Sequence, residues 1–155
     1  MMPRKRVLRA LIILRLLIAT VKIASAGEEC STLTAADVQK ITGTQVHNVL
    51  RESKPGAGGR CANFAKSDGN LYLGVSQLTS ESDYKKAVAS VPESVYPNRE
   101  KLSGVGDEGV LMKDSTGLIR YLVARKGNHG VILFPLRKGP SDEELKKLAA
   151  AALSH

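Results

Sequence analysis

Three segments of the chain carry apolar residues at helical spacing, and each begins with a residue suited to capping a helix. In the first segment Thr34 is the predicted N-cap, with Asp37 three residues later and apolar residues on either side. The second segment follows Ser80 and ends at Pro92, which closes a helix. The third follows Ser141, where the sequence Ser-Asp-Glu-Glu forms a full capping box. The pattern therefore predicts three helices.

Runs with strand character lie between these helices and are separated by turn residues. The predicted strands cover residues 45–51, 60–65, 71–78, 110–113, 118–126 and 131–136. The clearest hairpin joins the last two at Gly127 and Asn128, residue types that tolerate positive φ. Residues 92–103 contain two prolines and many polar side chains, so we expect a connection there.

The order of these elements predicts the fold class. The strands form short hairpins, and the helices lie outside these hairpins in the sequence. This order favours an α+β domain over alternating β-α-β units. We expect a mostly antiparallel sheet of five to six strands with about three helices packed on one face. The 155 residues, with 43% hydrophobic content, suffice for one domain with its own core.

The first 26 residues have the three parts of a secretory signal peptide. A basic start precedes the apolar residues 10–21, and Ala24 and Ala26 form an A-x-A cleavage site. Arg15 interrupts the apolar segment, and a charge there disfavours a permanent membrane span even more than a transient one. We therefore expect cleavage to leave residues 27–155 as one soluble domain, secreted or periplasmic. An uncleaved segment that anchors the protein to a membrane is the alternative.

The positive charge is concentrated in that predicted signal peptide. The formal net charge is +8, but six of the 23 basic residues and none of the 15 acidic ones precede Gly27. Residues 27–155 carry 17 basic and 15 acidic residues, a net charge of +2 that attracts polyanions weakly. The aromatic content of 4%, with no tryptophan, offers little for stacking on bases. Nucleic acid is therefore not an expected partner.

The two cysteines, Cys30 and Cys61, fit an exported chain. An even count and an oxidising compartment favour one disulfide between them, which would stabilise the fold by about 3–4 kcal/mol. A redox-active pair is disfavoured because the C-x-x-C spacing that lowers a thiol pKa is absent from the sequence. Glu28 and Glu29 stand where a lipobox has small and apolar residues, so Cys30 does not have the sequence context of a lipid-bearing cysteine.

Three short segments resemble a group of bacterial domains. They are C-S-T-L-T-A-A-D-V from Cys30, C-A-N-F from Cys61 and G-V-G-D-E from Gly104. Together they resemble small secreted or lipid-anchored domains of unknown function that are common among actinobacterial lipoproteins. The resemblance implies that the two cysteines pair, and it implies a compartment and a fold rather than catalytic residues. This chain departs from that group by lacking the lipobox, which favours a soluble form.

The segment from Gly104 to Gly109 matches the spacing G-x-G-x-x-G. A dinucleotide site needs a strand before this motif and a helix after it, so that phosphate meets free backbone N–H groups. Here a polar segment precedes the motif, a strand-like segment follows it, and the two carboxylates of Asp107 and Glu108 lie inside it. We interpret Gly104, Gly106 and Asp107 as a structural turn and expect no cofactor.

Residues suited to catalysis or metal binding are scattered. The three histidines, His47, His129 and His155, share no metal-ligand spacing, and the sequence holds no G-x-S-x-G elbow. Asp107 and Glu108 are adjacent, so on extended backbone their side chains point to opposite faces. No catalytic residue and no metal ligand is therefore assigned.

The candidate binding residues lie on one predicted strand. Arg120 shares a face with Leu122, while Tyr121 lies on the other apolar face. One interpretation is an outer arginine whose stem covers apolar surface. The functional hypothesis is a cationic anchor formed by Arg120, Arg125 and Lys126, with Tyr121 beside it, for an anionic ligand or partner.

These features favour a non-catalytic binding or interaction module outside the cytoplasm over an enzyme. Its partner would be an envelope or extracellular protein or a small ligand. One alternative is a secreted protein inhibitor that presents a sheet face or the glycine-rich residues 53–59. Another is a small envelope hydrolase whose acidic residues converge only in the folded chain.

Overall fold

A computed structural model describes residues 32–50 and 59–155 of the chain. The predicted signal peptide, Cys30 and most of the glycine-rich segment lie outside the described residues. In chain order the described elements are α1 (Ala35–Thr42), β1 (Val46–Asn48), β2 (Arg60–Lys66), β3 (Leu71–Leu78), α2 (Glu81–Ser90), β4 (Asn98–Lys101), β5 (Glu108–Lys113), β6 (Arg120–Lys126), β7 (His129–Pro135) and α3 (Asp142–Ala152).

The strands form one antiparallel sheet in the order β1-β2-β3-β7-β6-β5-β4. The last strand of the chain, β7, therefore lies at the centre, between β3 and β6. The α+β class and the antiparallel sheet are confirmed. The expected five to six strands are too few, because the described residues form seven.

The strand missing from the sequence prediction is β4. It lies in the segment expected to be a connection, and its residues, Asn-Arg-Glu-Lys, are mostly exposed. Its register places Asn98 opposite Lys113 and Lys101 opposite Val110. A charged strand of four residues is typical of a sheet edge, where charge prevents further pairing. It lacks the apolar alternation by which strands are recognised.

The helices pack on both faces of the sheet, so the expectation of a single covered face is wrong. On one face α1 and α3 contact each other and enclose a core with Phe64, Leu122 and Leu133. On the other face α2 packs over Val123 and Ile132. The reason is visible in β6, where Leu122 and Val123 point to opposite faces and both are fully buried. Each face therefore needs its own cover.

The helix starts agree with the sequence prediction. The side chains of Thr34, Ser80 and Ser141 each accept a hydrogen bond from a backbone N–H in the first turn of the helix that follows. Gly43 ends α1 in the left-handed conformation, with φ of 68°. None of the helices within the described residues is long and apolar enough to cross a membrane.

Candidate functional site

The segment from Gly104 to Glu108 forms the turn that leads into β5. Gly104 and Gly106 have φ of 77° and 67°, and a Cβ at Gly106 would collide with the carbonyl oxygen of Arg125. The Oδ2 atom of Asp107 accepts a hydrogen bond of 2.7 Å from the backbone N–H of Gly127. The turn is thereby fastened to the hairpin between β6 and β7.

Arg120 lies on the face of β6 that α3 covers. Its Nη1 atom is 3.0 Å from Oδ1 of Asp142, and Nζ of Lys113 is 2.5 Å from Oδ2 of the same carboxylate. Only 11% of the Arg120 side chain is exposed. Burial raises the pKa of Asp142, but the hydrogen bonds from Lys113 and Arg120 outweigh it and lower the pKa overall. Arg120 thus fixes the first turn of α3 to the sheet.

Arg125 lies on the opposite face of β6, beneath α2. Its Nε atom is 2.9 Å from Oε2 of Glu108, and its Nη2 atom is 3.8 Å from Oε2 of Glu81 in the first turn of α2. Its guanidinium also lies 5.7 Å from the ring centre of Tyr84. The hydrogen bond that Arg125 donates to Glu108 raises the pKa of Arg125. Arg125 therefore has the same role for α2 that Arg120 has for α3.

The four candidate binding residues do not converge on one site. Arg120 and Arg125 lie on opposite faces of the sheet and are both ion-paired. Lys126 is exposed at the end of β6, where it pairs in the ladder with His129. Of the four, Arg120 lines a surface hollow described below, and Tyr121 packs against two aromatic residues of its lining.

Tyr121 is the centre of a row of rings on the α2 side of the sheet. Its ring centre is 4.5 Å from that of Phe134, edge to face, and 6.4 Å from that of Tyr96. The guanidinium of Arg60 lies 4.9 Å from the ring centre of Phe134 and extends the row. Burial raises the pKa of Tyr121, and the nearby Arg60 opposes that shift.

An apolar groove lies beside this row, where β3 and β6 begin and β7 ends. It consists of two adjoining hollows, of about 620 Å³ and about 230 Å³, which share Ile119, Pro135 and Leu136. Four of the six large hydrophobic residues exposed among the described residues line it: Leu71, Leu118, Ile119 and Leu136. A contiguous exposed apolar surface of this kind marks a binding site more often than scattered single residues do.

Positive charge borders the apolar groove. Arg60 and Arg137 line it and are exposed, and Arg120, which is ion-paired to Asp142, lines it as well. Among the described residues, the one carboxylate in its lining belongs to Asp114, which accepts hydrogen bonds from the hydroxyl of Thr116 and the backbone N–H of Ile119. The hydrogen bond from Thr116 also lowers the pKa of Asp114. The groove is therefore apolar at its centre and basic at its border.

The acidic residues considered for catalysis are engaged in structural contacts. Asp107 bonds to Gly127, and Glu108 pairs with Arg125. His47 lies on β1, at the sheet edge remote from β5. Within residues 32–50 and 59–155, no group of three histidine, cysteine, aspartate or glutamate residues is arranged to hold a metal ion.

Cys61 lies on β2 within the core that α1 and α3 cover. No free cysteine occurs in the described part of the chain. Its expected partner, Cys30, lies outside that part, so the pairing of the two stays a prediction.

Of the four binding residues predicted from the sequence, Arg120 lines the smaller hollow of the groove, and Tyr121, Arg125 and Lys126 are not among the lining residues. The sequence predicts a strand from residue 118, whereas β6 begins at Arg120 and leaves Leu118 and Ile119 exposed. The sequence held one signal for the groove: aliphatic residues stand at the ends of three predicted strands. Comparisons of the chain with protein-family models, with curated proteins and with solved structures found no match.

Proposed function

We propose that this protein is an exported, non-catalytic binding module and that its ligand or partner occupies the apolar groove. The observation that carries the proposal is the clustering of Leu71, Leu118, Ile119 and Leu136 at one end of the sheet. The described residues leave these side chains in contact with water, although they border a well-packed core. A bound molecule that covers them would gain about 25 cal/mol for each Å² of apolar surface removed from water.

Export is supported by the signal-peptide pattern of the first 26 residues and by the resemblance of the cysteine segments to secreted bacterial domains. A disulfide between Cys61 and Cys30 would suit an oxidising compartment. A binding role is preferred to hydrolysis because Asp107 and Glu108 already have structural partners, and the described residues contribute a single carboxylate to the groove. Hydrolysis by an acid pair needs two carboxyl groups on either side of a substrate.

The test is native mass spectrometry of the full-length gene product recovered from its own host. We expect a bound mass on the wild-type protein and its loss in Ile119→Asp, which places a charge in the groove. Val95→Asp is the matched control, because Val95 is 52% exposed and Ile119 57%, but Val95 does not line the groove. Equal occupancy of the two variants, or no bound mass on any of the three proteins, would refute the proposal.

A further inference from the structure

Arg60 is held flat against the sheet at the border of the apolar groove. Its Nη1 atom donates a hydrogen bond of 3.0 Å to Oδ1 of Asn63, and its guanidinium stacks over the ring of Phe134. Gly74 provides the space, because a Cβ at that position would lie 3.0 Å from Nη1 of Arg60. Two contacts and a missing side chain thus fix the position of an exposed cation.

Arg60 differs from the two arginines on β6. Arg120 and Arg125 are ion-paired to carboxylates, whereas the described residues offer Arg60 no carboxylate within ion-pair distance. A guanidinium carries five N–H donors in a planar fork that matches a carboxylate. One of them is used by Asn63. Arg60 is therefore an ordered cation with donors available next to an apolar surface.

We propose that the groove binds a long-chain fatty acid, with the alkyl chain along Ile119, Pro135 and Leu136 and the carboxylate at Arg60. This inference rests on the proposed function and names its ligand class. Arg137 lies in the larger hollow together with the carboxylate of Asp114 and balances its charge, so Arg60 gives the border its attraction for an anionic ligand.

The walls of the groove favour an alkyl chain over a peptide. An extended peptide brings one N–H and one C=O per residue, and each needs a hydrogen-bond partner when covered. The strands beneath the groove are central ones, and their backbones are paired with each other, Leu73 with Pro135 and Gly74 with Phe134. Pro135 has no N–H to donate. An alkyl chain needs no such partners.

Charge also disfavours two other occupants of the groove, a second copy of this protein and its own apolar residues 10–21. In a symmetric dimer through this groove, Arg60 and Arg137 would face the same basic border on the second copy, and like charges in contact are repulsive. The apolar segment of residues 10–21 lies in a region with six basic residues and no acidic one. A monocarboxylate has the opposite charge and the required apolar length.

The test compares dodecanoate with dodecyltrimethylammonium, which has the same alkyl length and the opposite charge, by isothermal titration below their micelle concentrations. We expect dodecanoate to bind at least about tenfold more tightly. Arg60→Gln should remove that preference, because dodecanoate loses its cationic partner and the ammonium compound no longer meets a like charge. Arg60→Lys should restore part of it, because the charge remains but the fork is lost. Lys101→Gln, an exposed cation on β4 outside the groove, is the control.

Equal affinity for the two amphiphiles, or an unchanged preference in Arg60→Gln, would overturn this inference. Circular dichroism of each variant shows whether it is folded, so a loss of binding can be assigned to the site. If native spectra show a bound mass that depends on Ile119 but is a peptide, the fatty-acid inference fails and the proposed function stands. If no bound mass depends on Ile119, the proposed function itself fails.

Discussion

At the scale of single residues, partners decide what an arginine does in this protein. Arg120 and Arg125 are two strong cations on one strand, and each binds a carboxylate in the first turn of the helix above it. Acidic residues at helix starts are also favoured by the helix dipole, so each pair stabilises its helix in two ways. Arg60 stacks on Phe134 and pairs with no carboxylate among the described residues, so within them it keeps donors for a ligand.

The first prediction concerns Asp142, the carboxylate shared by Lys113 and Arg120. Asp142→Asn should lower the free energy of unfolding by about 1–2 kcal/mol at pH 7, because two cations lose their charged partner and all three side chains are partly exposed. The pKa of Asp142 in the folded protein is below its ordinary value of 3.8. A lowered folded pKa contributes stability that is complete above the unfolded pKa and is lost as the pH falls through the folded one.

Urea unfolding of wild type and Asp142→Asn across the acid range measures this effect. The difference between the two proteins should be largest near neutral pH and should shrink below about pH 4, as the carboxylate becomes protonated. A difference that stays constant from pH 7 into the acid range would contradict the assignment.

Two glycines in the turn before β5 give a matched pair for the second prediction. Both Gly104 and Gly106 have positive φ, but a Cβ would meet open space at Gly104 and collide with the backbone of Arg125 at Gly106. Gly104→Ala should therefore lower the free energy of unfolding by about 1–2 kcal/mol, because the only cost is the strain of the left-handed conformation. Gly106→Ala should cost clearly more, because the backbone of β6 would have to move. Equal losses in urea unfolding would show that the turn is not packed against β6.

At the scale of elements, prediction from sequence succeeded where the signal is local. Thr34 and Ser141 revealed helix starts because a cap is decided within about four residues. β4 was missed because its pairing with β5 is decided by a neighbour along the sheet rather than by its own pattern. The predicted position of α2 was wrong for a related reason. The sequence shows that a helix has an apolar side, but the face of the sheet that it covers depends on elements distant in sequence.

The third prediction tests that position. Tyr84 is the buried residue of α2 and packs against the core that includes Val123 and Ile132. Tyr84→Ala should lower the free energy of unfolding by about 3 kcal/mol, because a large ring is removed from a packed core. The control is Lys85→Ala on the same helix, where an exposed ion pair with Glu81 contributes little to stability. Thermal unfolding separates these expectations, and similar losses in both variants would show that α2 does not cover this face.

At the scale of the whole molecule, the groove arises from chain topology. Arg60 and Phe134 come together only because β7 inserts beside β3 in the sheet order, and no local pattern relates residues so far apart in sequence. The fold class was predictable because hairpins and helix caps are recognised from local sequence, and their order along the chain indicates the class. Of the four candidate binding residues, Arg120 lines the groove, and its strand was predicted from its own sequence; the places of Arg60 and Leu136 depend on which strands become neighbours.

The last prediction concerns the proposed link between the start of the domain and its core. Cys61 is buried on β2, and we expect it to be joined to Cys30. If so, either Cys30→Ser or Cys61→Ser should lower the free energy of unfolding by about 3 kcal/mol, because the unfolded chain gains the freedom of an open loop. The serine at position 61 adds a further loss, since it places a hydroxyl in an apolar core.

A double-mutant cycle separates the disulfide from that local effect. In a bonded pair the first substitution already breaks the link, so the double variant should be no less stable than Cys61→Ser alone. Two cysteines that act independently would give losses that add. Urea unfolding of the four proteins, purified under oxidising conditions, decides between the two outcomes. If the losses of unfolding free energy add, the two cysteines are not joined by a disulfide. The proposal of an exported protein would then lose one of its supports.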